Sequence, residues 1–295
     1  MPFPSLPSPV RAVTQRGLAW IWRHPLAGRN RTAATLRYLR WQLASRLRPD
    51  PIVMPWLQGA RLVVRRGLAG ATGNLYCGLH EWPDMPLVLH LLRPGDLFLD
   101  IGSNVGSYTV LAGAVAGAEV LAVEPVPVTL AVLRDNIALN GLNDRVEVLP
   151  VALGADHGEV LFSLDRDATN QVVTAAYGGQ SASVPLLPLD AVRGAERACC
   201  AKIDVEGHEP ALLEGGRRVF ASPALRVVLL EGRQPEVMTA MDRHGFVPCT
   251  YHPWERRLEE GVLTSGGNQI WVRDAAWVRE RLASAPALRV LDQTL

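Results

Sequence analysis

Five ionisable side chains fall within eight residues at 202–209: Lys202, Asp204, Glu206, His208 and Glu209. The run opens on a predicted apolar strand over 199–204. Side chains alternate along a strand, so Lys202 and Asp204 share one side and Ile203 and Val205 the other. Charges crowded among apolar neighbours at a strand's carboxyl end are where pKa values shift. Such a cluster can align a weakly acidic hydroxyl and take its proton, which is general-base chemistry. Lys202, Asp204, Glu206 and His208 are the catalytic candidates. Lys202 has two readings. It is a base whose pKa burial lowers, or a charged ammonium that pairs with Asp204 and orients an acceptor. Glu206 and Glu209 also suit a helix N-terminus through the macrodipole alone. No metal is expected, the alternative being a divalent cation on Asp204, Glu206 and His208.

A second pattern lies about a hundred residues upstream. A predicted strand over 96–101 carries Asp100 and runs into Gly102, Ser103, Asn104, Val105 and Gly106. Ligands of open α/β sheets sit beyond the carboxyl ends of the strands, and a glycine turn there lets backbone approach them. Glu124 follows Gly102 by twenty-two residues and ends the next predicted strand. A carboxylate at that place can accept both ribose hydroxyls of an adenosine. A dinucleotide fingerprint needs a middle glycine for the pyrophosphate, and Asn104 stands there instead. Asp100 disfavours a phosphate and suits an α-amino group. Both departures point to S-adenosylmethionine. An NAD-linked oxidoreductase and a non-catalytic binding module are the alternatives.

The elements that must position these residues alternate from residue 84 onward. Predicted helices cover 84–92, 106–116, 126–140, 208–220 and 234–244. Predicted strands cover 96–101, 119–123, 146–151, 199–204 and 225–230, with a terminal antiparallel pair over 246–251 and 269–272. This order predicts an α/β fold, a mostly parallel sheet with helices on both faces. A hairpin with a polar loop around 165–182 is expected within 154–190. Asp100, Gly102, Ser103, Asn104, Gly106, Tyr108, Glu124, Pro125 and Ala152 are the expected cofactor contacts. Glu81, Glu209, Glu231 and Asn268 are the expected acceptor contacts, under a lid from 74–82 and the 165–182 loop.

The segments DLFLDIGSNVGSYTVLAGAVAGAEVLAVEPVP, LRDNIALNGL, VEVLPVALG, LPLD, AKIDVEGHEPALLEGG, LLEG and GGNQIW together resemble the FkbM family of S-adenosylmethionine-dependent methyltransferases, over residues 74–273. KIDVEGHE is the most specific of them. The resemblance implies a class I methyltransferase (Rossmann-like) fold of seven strands, the last antiparallel. It implies O-methylation of a hydroxyl on a sugar, glycolipid or polyketide. It places Asp100, Gly102, Asn104, Gly106 and Glu124 at the cofactor, and Lys202, Asp204, Glu206 and Glu209 in the second signature. Ser103 stands where the family commonly has alanine.

Charge divides the 295-residue chain. Residues 1–70 hold twelve arginines against Asp50 alone, a balance of +11 inside a total of +1. A basic arm therefore precedes an acidic body. The expected division is a basic helical extension over 1–73, a methyltransferase domain over 74–275 and a helical tail over 276–295. Residues 1–9 read as a Pro/Ser-rich tip. Helices are predicted over 10–24 and 31–48, the second from Leu36, Leu39, Leu43 and Leu47 at three- and four-residue spacing. The arm either packs on an acidic surface of this chain or a second copy, or lies on an anionic membrane through residues 10–48. No nucleic-acid partner is expected. Cys77, Cys199, Cys200 and Cys249 have neither disulfide-framework nor metal-ligand spacing and read as reduced core thiols. With no apolar run of membrane-spanning length and no secretory signal, a cytoplasmic site is expected, peripheral to the membrane if the arm binds it. Of the 30 basic residues only Lys202 is a lysine, and it falls inside the most specific motif.

Overall fold

The structure, a computed structural model, describes residues 17–47, 50–65, 69–165, 170–263 and 267–295. The predicted Pro/Ser-rich tip and the start of the first helix lie outside these residues. In chain order, α1 covers 17–23 and α2 Arg31–Leu47. β1 (Ile52–Pro55) and β2 (Arg61–Val64) form an antiparallel pair. Next come α3 (Ala69–Cys77), α4 (Asp84–Leu91), β3 (Leu97–Ile101), α5 (Ser107–Val110, continued by a π-helical turn), β4 (Glu119–Val123), α6 (Pro127–Leu139) and β5 (Val146–Leu149). β6 (Ala152–Gly154), β7 (Gly158–Ser163), β8 (Val172–Val173) and β9 (Ser181–Pro188) make a separate small sheet. The chain continues with β10 (Cys200–Ile203), α7 (Glu209–Gly215), α8 (Arg217–Ala221), β11 (Val227–Leu230), α9 (Pro235–Arg243), β12 (Val247–His252), β13 (Arg257–Glu260) and β14 (Gln269–Val272). It closes with α10 (Ala275–Ala283) and the hairpin β15 (Arg289–Val290) and β16 (Gln293–Thr294).

The main sheet has the order β13-β12-β14-β11-β10-β3-β4-β5. β11, β10, β3, β4 and β5 are parallel, and β14 enters antiparallel beside β11. Strands covered on both faces read as continuous apolar runs. Every residue of β3, β10, β11 and β14 is buried. Their side chains alternate between two cores. Phe98, Val120, Cys200 and Leu229 enter one, and Leu99, Leu121, Ala201 and Val228 the other. Asp100 and Lys202 follow Phe98 and Cys200 on the same face and sit opposite each other in register. The alternation therefore delivers one acid and one base, side by side, to the carboxyl edge.

The structure differs from the sequence reading in four places. The main sheet has eight strands rather than seven, because the polar segment Arg257–Glu260 adds an antiparallel edge to β12. The 208–220 helix breaks at Gly216 into α7 and α8. The tail is α10 followed by a hairpin rather than helix throughout. In α2 the buried residues are Ala34, Tyr38 and Trp41, while the periodic leucines are exposed. The four cysteines are buried and free. Among the described residues no helix is long and apolar enough to cross a membrane.

Candidate active site

The turn after β3 is pinned to the end of β4. The backbone N–H groups of Gly102 and Ser103 both donate to the Val123 carbonyl, each at 3.0 Å. Gly102 has φ +78°, and a Cβ there would run into the Asp204 carbonyl, so only glycine fits. Glu124 closes the turn from the other side. Its Oε2 accepts from Asn104 N at 2.9 Å and its Oε1 from Val126 N at 2.8 Å. Burial pushes the Glu124 carboxyl up to about 7, against the pull of those two N–H groups. Each oxygen keeps a lone pair for a further donor.

Two cavities meet at this edge. The first is lined by Glu124, Pro125, Val126, Val151, Ala152, Phe162, Val172 and His208. It is an apolar slot with a carboxylate at one end, the shape and polarity that suit an adenosine. The second, of about 400 Å³, is lined by Trp20, His80, Trp82, Tyr108, Asn268 and six acids, Glu81, Asp84, Asp100, Asp204, Glu206 and Glu231. Among the described residues, Lys202 is its one basic side chain apart from His80. Gly102, Asn104, Asp204 and Glu206 line both cavities and so form the boundary between them.

Lys202 lies at the floor of the larger cavity. Its Nζ donates to Asp204 Oδ2 at 2.8 Å and stands 5.0 Å from the Tyr108 ring centre. Burial alone would lower its pKa, but Asp204, Glu81 and Asp100 outweigh it and hold the ammonium above its ordinary value. Of the two readings for Lys202, the geometry favours the fixed cation over the base. Burial opposes ionisation of Asp204, yet Lys202 wins and its carboxyl lies below the usual range. Glu231 sits at the exposed end of β11. Its carboxyl is pushed up to about 7, first by the protein around it and then by the hydrogen bond and charge of Asp204. Asp204 and Glu231 thus form a carboxyl pair in which Glu231 keeps the proton longer. Glu206 is raised as well, by burial and then by Asp204 and Glu209.

Further acids line the same cavity. Tyr108 Oη donates to Glu81 at 2.9 Å, and Asn268 Nδ2 bonds both Glu81 (3.2 Å) and Asp84 (2.8 Å). Burial, then Glu81, pushes Asp84 up to about 7, and its Oδ1 has no partner among the described residues. Asp100 accepts from Thr109 at 2.5 Å and is raised to about 6 by burial, which Thr109 and Lys202 moderate.

Several expected residues occupy other roles. Ser103 is buried, and its hydroxyl is spent on the Asp100 and Val123 carbonyls. Gly106 permits the left-handed step into α5 and would place a Cβ against Leu133. Glu209 lines neither cavity. It is buried, accepts from Gly207 N at 3.1 Å and locks the turn before α7. His208 does not join the Lys202 cluster. Glu206 (φ 50°) and Gly207 (φ 92°) turn the chain, so His208 lines the smaller cavity, its Nε2 buried without a partner among the described residues. Burial lowers the pKa of that ring, against the pull of Glu209. The acidic trio whose oxygens approach within 4.8 Å is Asp204, Glu206 and Glu231, with Glu231 in the place expected for His208.

Sequence reasoning missed Asp84 and Trp20, while His80 and Trp82 lie in the expected 74–82 lid without having been singled out. Asp84 heads the apolar helix α4, where an acid is read as serving the helix dipole. Trp20 lies in a segment with no chemical motif, and only folding brings it to the cavity.

A family model for the methyltransferase FkbM domain matches residues 100–248. A ribosomal protein L11 methyltransferase of Chloroflexus aurantiacus is 32% identical over 114 residues, 35% of this chain and 33% of that protein. The chain thus spans about a third of the length of that curated relative. Among solved structures, the methyltransferase FkbM from Methylobacillus flagellatus KT is 15% identical, covering 68% of this chain and 52% of the other, with a TM-score of 0.43. A SAM-dependent O-methyltransferase from Thermotoga maritima is 12% identical, covering 65% and 64%, with a TM-score of 0.38.

Proposed function

We propose that this chain, which belongs to the methyltransferase FkbM domain family, transfers a methyl group from S-adenosylmethionine to a hydroxyl oxygen of a sugar, glycolipid or polyketide-type acceptor. One observation carries the reading. The apolar slot beside Glu124 and the acidic cavity above Lys202 share the walls Gly102, Asn104, Asp204 and Glu206. A nucleoside on one side and an acceptor on the other would meet across that boundary.

The residues fit the cofactor. Glu124 offers carboxylate lone pairs to ribose hydroxyls, and Ala152, Val151 and Phe162 give an apolar bed for adenine. His208 Nε2, without a partner among the described residues, faces the same slot and can pair with an adenine edge. Asp100 and Asp204 suit the cationic amino-acid end. They disfavour a pyrophosphate, which weakens the dinucleotide alternative. When bound, S-adenosylmethionine supplies an activated methyl on a positively charged sulfonium.

The chain's own residues do the rest. Lys202, held by Asp204, points a fixed positive charge at the acceptor cavity and can hold an acceptor oxygen by hydrogen bonding. Glu231, poised near neutrality, takes the hydroxyl proton onto its carboxylate. Asn268 and Glu81 bond neighbouring hydroxyls, and Trp20 and Trp82 offer flat apolar walls to a ring. Much of the rate comes from alignment across the shared wall.

Methyl-labelled S-adenosylmethionine incubated with glycan, glycolipid and polyketide fractions tests this directly. Label held in an alkali-stable ether is expected. Label released by mild alkali as methanol would indicate a carboxyl ester and overturn the hydroxyl assignment.

A further inference from the structure

α2 is apolar on two opposite faces. Ala34, Tyr38 and Trp41 are buried against the body. At about 100° per residue, Leu36 and Leu43 project from the opposite side. Leu36, Leu39, Leu43 and Leu47 are 48, 49, 62 and 72% exposed. Trp22 extends this surface from α1, its indole donating to Thr35 at 3.0 Å while the ring stays exposed. Four leucines on the outward face of a helix are costly to leave in water.

The charges around the stripe say what covers it. Residues 17–47 contain six arginines and no acid. Arg37 turns inward to the Tyr76 carbonyl, but Arg40 and Arg46 are exposed on either flank of the leucines. A second copy docking the same face would set arginine against arginine with no carboxylate on either helix to relieve it. We infer that this face docks on an anionic lipid bilayer. Leucines enter the acyl boundary, tryptophan rests at headgroup depth and arginines engage the phosphates.

The placement reaches the acceptor cavity. Trp20 of α1 lines that cavity and packs on His80, ring centres 5.4 Å apart. The arm that meets the bilayer thus also walls the cavity, which suits a lipid-linked acceptor. The docking surface itself stands whether or not the cavity transfers methyl groups.

Vesicle flotation of the full chain tests it, with phosphatidylcholine alone and with phosphatidylcholine mixed with phosphatidylglycerol. Binding to the anionic vesicles at low salt is expected, roughly tenfold weaker to neutral vesicles and weakened by added salt. The double variant Leu39→Glu/Leu43→Glu should lose roughly tenfold or more in bound fraction, with unchanged melting temperature, since both positions are exposed. Absence of flotation at low salt would overturn the inference, as would flotation that the double variant leaves intact. A dimer in light scattering that the same variant dissociates would assign the face to a second copy instead.

Discussion

The Lys202 ammonium sits 2.8 Å from the Asp204 carboxylate, with the lysine side chain 3% exposed and the aspartate 33%. The pair is sealed at one end and open to the cavity at the other. Lys202→Met would leave Asp204 without its counter-charge. Partial water access puts the expected loss of stability at or below the lower end of the buried-pair range, about 2–3 kcal/mol, read from thermal unfolding. Lys202→Arg keeps the charge but moves its donors. It should keep the fold and cofactor affinity and lose roughly a hundredfold in turnover. Near-normal turnover would remove the need for a compact ammonium.

Glu231 sets the expected pH profile. A base acts only when ionised, and its carboxyl is held up at about 7. kcat should therefore climb as pH rises through about 7 and level off above it. Glu231→Gln should lower kcat by roughly 10²–10⁴-fold and abolish that limb. A variant that retains the same limb would assign the titration to another group.

Asp84 makes the opposite statement about stability. Its folded pKa of about 7 lies above its ordinary value of 3.8, so the folded state holds the proton longer. Its favourable contribution is complete below the unfolded pKa and disappears as pH rises through about 7. Asp84→Asn removes this dependence. The variant's melting temperature should gain on the parent between pH 4 and pH 8, by an amount equivalent to roughly 3 kcal/mol. A constant difference across that range would contradict the buried, proton-holding carboxyl.

Glu206 occupies the left-handed region at φ 50°, where a non-glycine residue costs energy. Glu206→Gly should relieve about 1 kcal/mol and hold or raise the melting temperature, while removing a wall shared by both cavities. Rising stability with falling kcat/KM would locate the strain at the site. A fall in both would make Glu206 a structural residue.

The parts of the fold legible in the sequence were those with strong periodicity. The buried strands around Asp100, Glu124 and Lys202 are short apolar runs between glycine turns, and these patterns survive folding unchanged. Arg257–Glu260 escaped because only Leu258 of that edge strand is buried. The leucines of α2 misled because apolar spacing identifies a helix face without saying whether anything packs on it. His208 was misplaced because reading along a strand assumes straight continuation, and the left-handed pair Glu206 and Gly207 bends the chain. Asp84 was hidden because its position at a helix start has an ordinary explanation.

The central claim is that the slot beside Glu124 holds S-adenosylmethionine. Calorimetric titration of the full chain with S-adenosylmethionine, and separately with NAD, tests it most directly. Saturable one-to-one binding of S-adenosylmethionine is expected, tightening as pH rises through about 7 with ionisation of Glu124. Glu124→Ala should weaken it roughly 10–100-fold. No heat with S-adenosylmethionine, or saturable binding of NAD in its place, would contradict the claim.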